Sequence, residues 1–296
     1  MNDNRRGAII MMLSMLAFLI NDVFMKLASP DLPLAQAIFV RGMLTSVVLF
    51  VLSCVKFRNI FRDFKGNYSL IILRTIGEIG GTWCFLSALF QMPIANLMMI
   101  LQATPIAITL VSYLIFKEVL KRQVVVALVL GFLGILIILR PGLEGFDKYS
   151  LLGLGAVFFV VLRDLSTRRM RGNIRTVDIA FLAAFSITLI SGALTLSTDW
   201  VPINSYTLLL LIAATTALVI AYQLSVAVMR TGQVSFVSQF RYSAILWAIL
   251  FGYLFFGEFP DKFTLLGGVI VISAGLIILW KKKSEKNINK RIDKTY

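Results

Sequence analysis

Charged side chains stand inside several long apolar segments of this chain, and they are the residues with the most chemistry to offer. Glu78 is flanked by glycines, so another group can approach it closely, and Arg241 lies between Gln239 and Tyr242. A carboxylate at such a position can bind a cation or carry a proton, and a guanidinium can bind a carboxylate. If Glu78 and Arg241 face each other, they predict a two-pole site for a zwitterion such as an amino acid. The alternative for each is an ion pair within the protein.

Aromatic and amide side chains at similar positions along their segments extend the candidate site. Trp83 and Tyr222 could flank a ring or a cationic centre through their π faces, and Gln102 can both donate and accept hydrogen bonds. We add Gln239 and Tyr242, which give the segment around Arg241 its polar character. Ordinary helix packing is the alternative for any single aromatic residue here.

The segments that carry these residues are long and apolar. The chain has 296 residues, of which 58% are hydrophobic and 15% charged, and its mean hydropathy is +0.87. A bilayer core about 30 Å thick needs roughly 20 apolar residues per helix. The pattern predicts an all-α integral membrane protein with ten transmembrane helices, at about 7–28, 33–55, 69–90, 94–116, 122–139, 150–169, 176–196, 205–228, 233–256 and 263–281.

The formal charge of +14 does not indicate nucleic-acid binding, because the basic residues lie in the connections between apolar runs and in the tail. Most of these lysines and arginines fall in every second connection and in the two termini, all of which lie on one side of the membrane. This distribution predicts that both termini are cytoplasmic. Cys54 and Cys84 have no metal-ligand spacing, and the chain has no histidine. We therefore expect no metal and no cofactor.

An internal repeat divides the chain. The segment 113–139 matches 253–279 without a gap and aligns Glu118 with Glu258, two residues that we expect to organise the turns between packed helices. Five helices per repeat is an odd number, so the second half must enter the membrane with inverted polarity. The sequence predicts one repeat over 1–140, a second over 141–281, and a basic cytoplasmic tail over 282–296 that we expect to be disordered.

Four further charges are candidates for coupling or gating. Asp22 and Asp164 occupy corresponding positions in the two halves, and Arg41 and Arg163 lie near them in sequence or in the predicted bundle. Inverted symmetry would direct one aspartate toward each face of the membrane, which suits a pair of gates. A solvated charge at a helix end is the alternative, and it is the favoured one for Asp164.

Short motifs resemble a known family. The blocks Phe116, Lys117, Glu118 and Phe256, Gly257, Glu258, each followed by a glycine-containing apolar helix, resemble the two EamA-like domains of the drug/metabolite transporter superfamily. The resemblance covers roughly residues 7–281 and implies ten helices and the export or uptake of a metabolite. Within the superfamily, Asn21 to Lys26 and Arg41 are most similar to uptake carriers such as those for S-adenosylmethionine and riboflavin.

These observations predict a secondary carrier in the bacterial inner membrane that is not an enzyme. Its expected substrate is a small polar metabolite, amino-acid-like or zwitterionic such as S-adenosylmethionine, moved by proton coupling or exchange. A flippase for lipid-linked or amphipathic substrates and an exporter of neutral ring metabolites remain alternatives. The expected partners are the substrate and membrane lipids, with no nucleic acid, and the chain is expected to be a monomer or a dimer.

Overall fold

The computed structural model of the chain describes residues 3–54, 66–116, 122–140, 147–170, 176–229 and 237–292. Within these ranges the secondary structure is entirely helical. The α-helices are α1 (Asp3–Ala28), α2 (Leu34–Cys54), α3 (Tyr68–Gln91), α4 (Ile94–Leu101), α5 (Thr104–Phe116), α6 (Arg122–Leu139), α7 (Ser150–Arg169), α8 (Thr176–Thr195), α9 (Ser205–Met229), α10 (Ser243–Phe256) and α11 (Lys262–Ile292).

Two of the predicted helices are not continuous α-helices. The fourth divides into α4 and α5 at Gln102 and Ala103, and the ninth begins with a 3₁₀ turn over Ser238–Tyr242 before α10. Pro105 explains the first break: it has no N–H for the carbonyl of Leu101, which instead accepts a hydrogen bond from the Thr104 hydroxyl at 2.6 Å. Interrupted helices of this kind are tolerated at membrane depth where they line a cavity.

The basic tail differs from its prediction. Instead of ending near residue 281, α11 continues to Ile292, so the expectation of a disordered tail was wrong. The tail contains no glycine or proline up to that point, and its lysines and glutamate favour a helix.

The helices are suited to a membrane. Within the described ranges, eight helical segments are long and apolar enough to cross one, with 94–111 and 239–256 each counted as one segment. Val124–Leu139 and Lys262–Ile277 are shorter apolar helices. Large apolar side chains such as Leu114, Phe132 and Leu209 are exposed on the outside of the bundle, where lipid would cover them. The chain is a multi-pass membrane protein.

Helix packing relates the two halves of the chain. The four most extensive helix contacts join α1 to α9, α3 to α7, α2 to α8 and α6 to α11. If α1, α2, α3 and α6 correspond to α7, α8, α9 and α11, exchanging the halves converts the α1–α9 contact into the α7–α3 contact and leaves the other two unchanged. This packing is the pattern that two repeats related by a twofold axis would produce.

Buried side chains concentrate at one end of the bundle. We call this the sealed end, because Leu32, Leu89, Met92, Ile94 and Leu97 meet there and are each at most 4% exposed. We call the opposite end, where α2, α5 and α7 end, the basic end, since the sequence predicts that most of the lysines and arginines lie on this side. The core is therefore concentrated toward the sealed end.

Candidate functional site

A cavity of about 510 Å³ lies between the two halves of the chain. α1, α2, α3, α4, α5, α7, α8, α9, α10 and the 3₁₀ turn contribute to its wall. On α9 and the 3₁₀ turn, the lining residues Leu218, Tyr222 and Arg241 come from the half nearer the basic end, whereas Asp22 on α1 and Met98 on α4 come from the half nearer the sealed end. The cavity therefore lies near the middle of the bundle. Its volume is within the range typical of small-molecule sites.

One charged cluster joins α3 to α7. The Glu78 carboxylate lies 3.6 Å from Arg74 on its own helix and 3.5 Å from Arg163 across the interface. Arg163 Nε also donates to Asp164 at 2.8 Å. Gly77 permits this approach, because a Cβ at that position would meet the backbone of Phe159 and Arg163 at 2.8 Å. The small residue beside Glu78 therefore brings the two charged helices together.

A second charged cluster joins α1 to α2. Asp22 accepts a hydrogen bond from the Asn21 side chain at 2.8 Å, and Arg41 donates to the oxygen of the same amide at 3.4 Å. The carbonyl of Arg41 accepts from Thr45 at 2.8 Å. Asp22 and Arg41 are both buried, so each needs the other as a counter-charge.

The remaining lining residues near these clusters are aromatic or amide side chains and one further arginine. Tyr222 packs edge to face on Phe18, with ring centroids 5.6 Å apart. Gln102 comes from the break between α4 and α5, and Tyr242 and Arg241 from the 3₁₀ turn. Arg241 is exposed, and no carboxylate of the described residues lies within ion-pair distance of it.

The structure brings most of the sequence-predicted residues together. Eight line the cavity: Asp22, Arg41, Glu78, Gln102, Arg163, Tyr222, Arg241 and Tyr242. Trp83, Gln239 and Asp164 are not part of its lining, although Asp164 joins it through Arg163. The ion-pair partners of Glu78 are Arg74 and Arg163, so the alternative given for Glu78, pairing within the protein, describes its position. Arg241 lies on the same cavity wall as a separate charge.

An ion pair between the halves at the sealed end was missed from the sequence, which placed Lys26 near the end of the first predicted helix and named no partner for it. Lys26 is 9% exposed, and its ammonium lies 2.6 and 2.9 Å from the two oxygens of Glu258. It also donates to the carbonyl of Met92 at 2.8 Å, and Glu258 accepts from the N–H of Ile94 at the start of α4. Glu258 therefore joins α1, α4 and α10. Its aligned partner Glu118 lies outside the described residues.

Arg74 is the lining residue that sequence reasoning should have found. It precedes Glu78 by four residues on α3, the spacing at which charged side chains meet on a helix. The hydroxyls of Thr45, Thr82 and Thr109 also line the cavity, but nothing in their sequence context distinguishes them from threonines that bond to their own helix. Among the described residues, no cluster of acidic side chains and cysteines could hold a metal ion.

An inverted helical bundle around a charged cavity defines a class of protein, the membrane transporters. The chain belongs to the EamA-like transporter family, whose sequence model matches residues 5–140 and 147–280. One protein of known crystal structure shares the fold with a TM-score of 0.60 at 15% identity, over 93% of this chain and 96% of that one.

Several curated relatives are named transporters. The chain is 24% identical to the pseudopaline exporter of Pseudomonas aeruginosa, over 94% of this chain and 98% of the exporter. It is 28% identical to the riboflavin transporter of Vibrio cholerae, over 96% and 97% of the two chains. It is 24% identical to the S-adenosylmethionine uptake transporter of Rickettsia prowazekii, over 92% of each. These names support membrane transport and differ in substrate and direction.

Proposed function

We propose that the chain is a secondary carrier for a small polar metabolite that is amino-acid-like or zwitterionic. The observation that supports this most directly is the cavity of about 510 Å³ with charged side chains of both signs on its wall. Charges at membrane depth are costly unless they face a partner or an aqueous cavity, and such residues commonly mark a substrate path. The named transporters among the relatives support the same class of function.

The proposed recognition uses both charged clusters. Arg74 and Arg163 offer guanidinium donors that suit a carboxylate, and Asp22 offers an acceptor for an ammonium group. Gln102 and Thr82 add groups that can bond to uncharged polar atoms of the substrate. This arrangement replaces the two-pole pairing of Glu78 with Arg241 that the sequence predicted.

The proposed transport cycle is alternating access by two inverted halves, 1–140 and 141–281. In the conformation described, the Lys26–Glu258 pair joins α1 to the end of α10 at the sealed end, and we propose that the central cavity opens at the opposite, basic end. Basic connections favour the cytoplasm, so we assign the basic end, both termini and the cavity mouth to the cytoplasmic side of a bacterial inner membrane. Breaking the Lys26–Glu258 pair would then open the opposite side.

Energy coupling in this proposal uses a proton or an exchanged solute. Because the chain has no histidine, Asp22 and Glu78 are the cavity groups that could carry a proton across the membrane. Exchange of related solutes requires no titrating group. The two modes differ in whether an imposed pH gradient alone drives accumulation.

A neutral ring compound is the second candidate substrate. Tyr222 and Phe18 form an aromatic pair at the cavity, and the relative from Vibrio cholerae is named a riboflavin transporter. A flat ring would stack on these side chains. The charges within each of the two clusters would then remain paired.

Counterflow in proteoliposomes tests the proposal. Vesicles preloaded with a mixed metabolite panel would be tested for accumulation of labelled amino acids, S-adenosylmethionine, riboflavin and nucleobases, one at a time. Accumulation of an amino-acid-like compound is expected, and Arg163→Gln should weaken it. Exchange of riboflavin or nucleobases alone would favour the second candidate, and no exchange of any compound would contradict both.

A further inference from the structure

The charges on the cavity wall do not cancel. Among the described residues, the wall carries four arginines and two carboxylates, and Asp164 adds a third carboxylate through its bond to Arg163. The lining charges are Asp22, Arg41, Arg74, Glu78, Arg163 and Arg241. Four positive and three negative charges leave a formal surplus of one positive charge.

Three of the four arginines are already matched by carboxylates. Arg74 and Arg163 share Glu78, and Arg163 also binds Asp164. Arg41 is linked to Asp22 through the Asn21 amide. The surplus charge is therefore assigned to Arg241, which lacks a carboxylate neighbour within the described part of the chain.

The arginine clusters also have hydrogen-bonding capacity to spare. Arg74 Nη1 is buried without an acceptor among the described residues. A buried unpaired donor is costly, and in a native structure each one needs an explanation such as a ligand or a water molecule. An incoming carboxylate would supply acceptors for this donor and a counter-charge for Arg241.

We propose that the transported species carries one net negative charge. This inference rests on the proposed function and narrows its substrate class to an amino-acid-like metabolite with one carboxylate more than its ammonium group balances. Arg241 is exposed in this conformation. Closing the cavity around a substrate would remove water from the charge of Arg241, which is unfavourable unless an anion supplies a counter-charge. The second carboxylate binds Arg241, and the α-carboxylate and ammonium bind the two paired clusters.

The same arithmetic disfavours S-adenosylmethionine. That molecule carries a sulfonium, an ammonium and a carboxylate, so its net charge is +1 and it would double the surplus. A simple zwitterion would leave the surplus unchanged. Substrate charge is therefore the property that separates this chain from a carrier of a cationic metabolite.

Matched pairs of compounds that differ by one carboxylate test the inference. Uptake of labelled glutamate and glutamine, aspartate and asparagine, and S-adenosylmethionine would be measured in proteoliposomes at fixed pH, together with the mixed panel. The acid of each pair is expected to be taken up with at least about a tenfold larger kcat/KM than its amide. Arg241→Gln should remove this preference, and Arg241→Lys should retain it.

Arg140→Gln is the control, because it removes one arginine outside the cavity and should leave the ratio of acid to amide uptake unchanged. Preference for the amides or for S-adenosylmethionine in the unaltered chain would overturn the inference and leave the proposed function intact. An acid preference that survives Arg241→Gln would also overturn it. Failure of every compound, panel included, would remove the proposed function itself.

Discussion

The sealed end and the cavity both contain ion pairs between the halves of the chain, but the two sets of pairs differ in how completely they are satisfied. Lys26 and Glu258 approach within 2.6 and 2.9 Å, and each has a further backbone partner. In the cavity, Glu78 stands 3.5 to 3.6 Å from its arginines, and Glu78 Oε2 and Arg74 Nη1 have no hydrogen-bond partner among the described residues.

This difference separates a contact that holds a conformation from one that can accept a ligand. A fully bonded pair gains little from any new partner, so it stabilises the closed arrangement of the sealed end. A pair with spare donors and acceptors gains hydrogen bonds when a polar substrate enters.

Removing the charge of Glu78 should have the largest effect. Glu78→Gln leaves Arg74 and Arg163 with less counter-charge in a buried site, a change that costs about 3 to 5 kcal/mol for a fully buried pair. We expect initial transport rates in proteoliposomes to fall at least about 100-fold. The double variant Glu78→Gln with Arg74→Gln restores the charge balance and should recover part of the rate. Wild-type transport by the single variant would show that the cluster has no role.

The glycine beside this cluster should come next. Gly77→Ala would drive a methyl group to within 2.8 Å of the α7 backbone, which must move away and separate Glu78 from Arg163. Overpacking of this kind costs about 1 to 3 kcal/mol, so the thermal unfolding midpoint in detergent and the transport rate should both fall. Gly81→Ala is the matched control, since its Cβ would be 3.6 Å from Phe159, an ordinary contact. Equal effects of the two variants would argue against close packing as the cause.

Breaking the Lys26–Glu258 pair at the sealed end should have an intermediate effect, on the transport rate more than on substrate affinity. Lys26→Met leaves Glu258 without its cation, at a cost of about 1 to 3 kcal/mol to the closed arrangement. We expect the transport rate to change about tenfold while the apparent substrate affinity from competition changes less. Lys148→Met is the control, because it also removes a lysine near the sealed end, but one whose ammonium lies over the Tyr149 ring, 5.2 Å from its centroid, and not beside Glu258. A loss of affinity without a change in rate would place Lys26 with the cavity residues instead.

The smallest effect is expected at the Arg140–Asp261 pair, which also lies at the sealed end. Partial burial raises the pKa of Asp261, but hydrogen bonds from Thr264 and Arg140 outweigh it and hold that pKa below its ordinary value of 3.8. A lowered folded-state pKa stabilises the protein above the ordinary value, and this contribution is lost as the pH falls through the folded-state pKa. Asp261→Asn should therefore lower the unfolding midpoint slightly at pH 7, and the difference should shrink as the pH falls below the ordinary value and vanish below the folded-state pKa of Asp261. A difference that persists in acid would assign the effect to packing.

Sequence reasoning predicted the helices and most of the cavity residues because both depend on local hydrophobicity. A charge within an apolar run must face something polar, which is why Asp22, Arg41 and Arg163 could be identified before the cavity was known. Their partners depend on which helices pack together. Nothing near Lys26 in the sequence indicates that Glu258, 232 residues later, lies beside it. The break at Gln102, by contrast, follows from a local feature of the sequence, because Pro105 has no N–H for the carbonyl of Leu101.

Side-specific cysteine labelling tests directly whether this conformation opens the charged cavity toward the basic end and closes it at the sealed end. The reporter is Thr82→Cys, a cavity residue on α3, in a background with Cys54 and Cys84 replaced by serine. A membrane-impermeant thiol reagent would be applied to each face of vesicles of known orientation. We expect the reagent to label the introduced cysteine of this variant faster from the face with the basic end. Labelling from the other face is expected only after Lys26→Met. Equal labelling from both faces, or faster labelling from the sealed end, would contradict it.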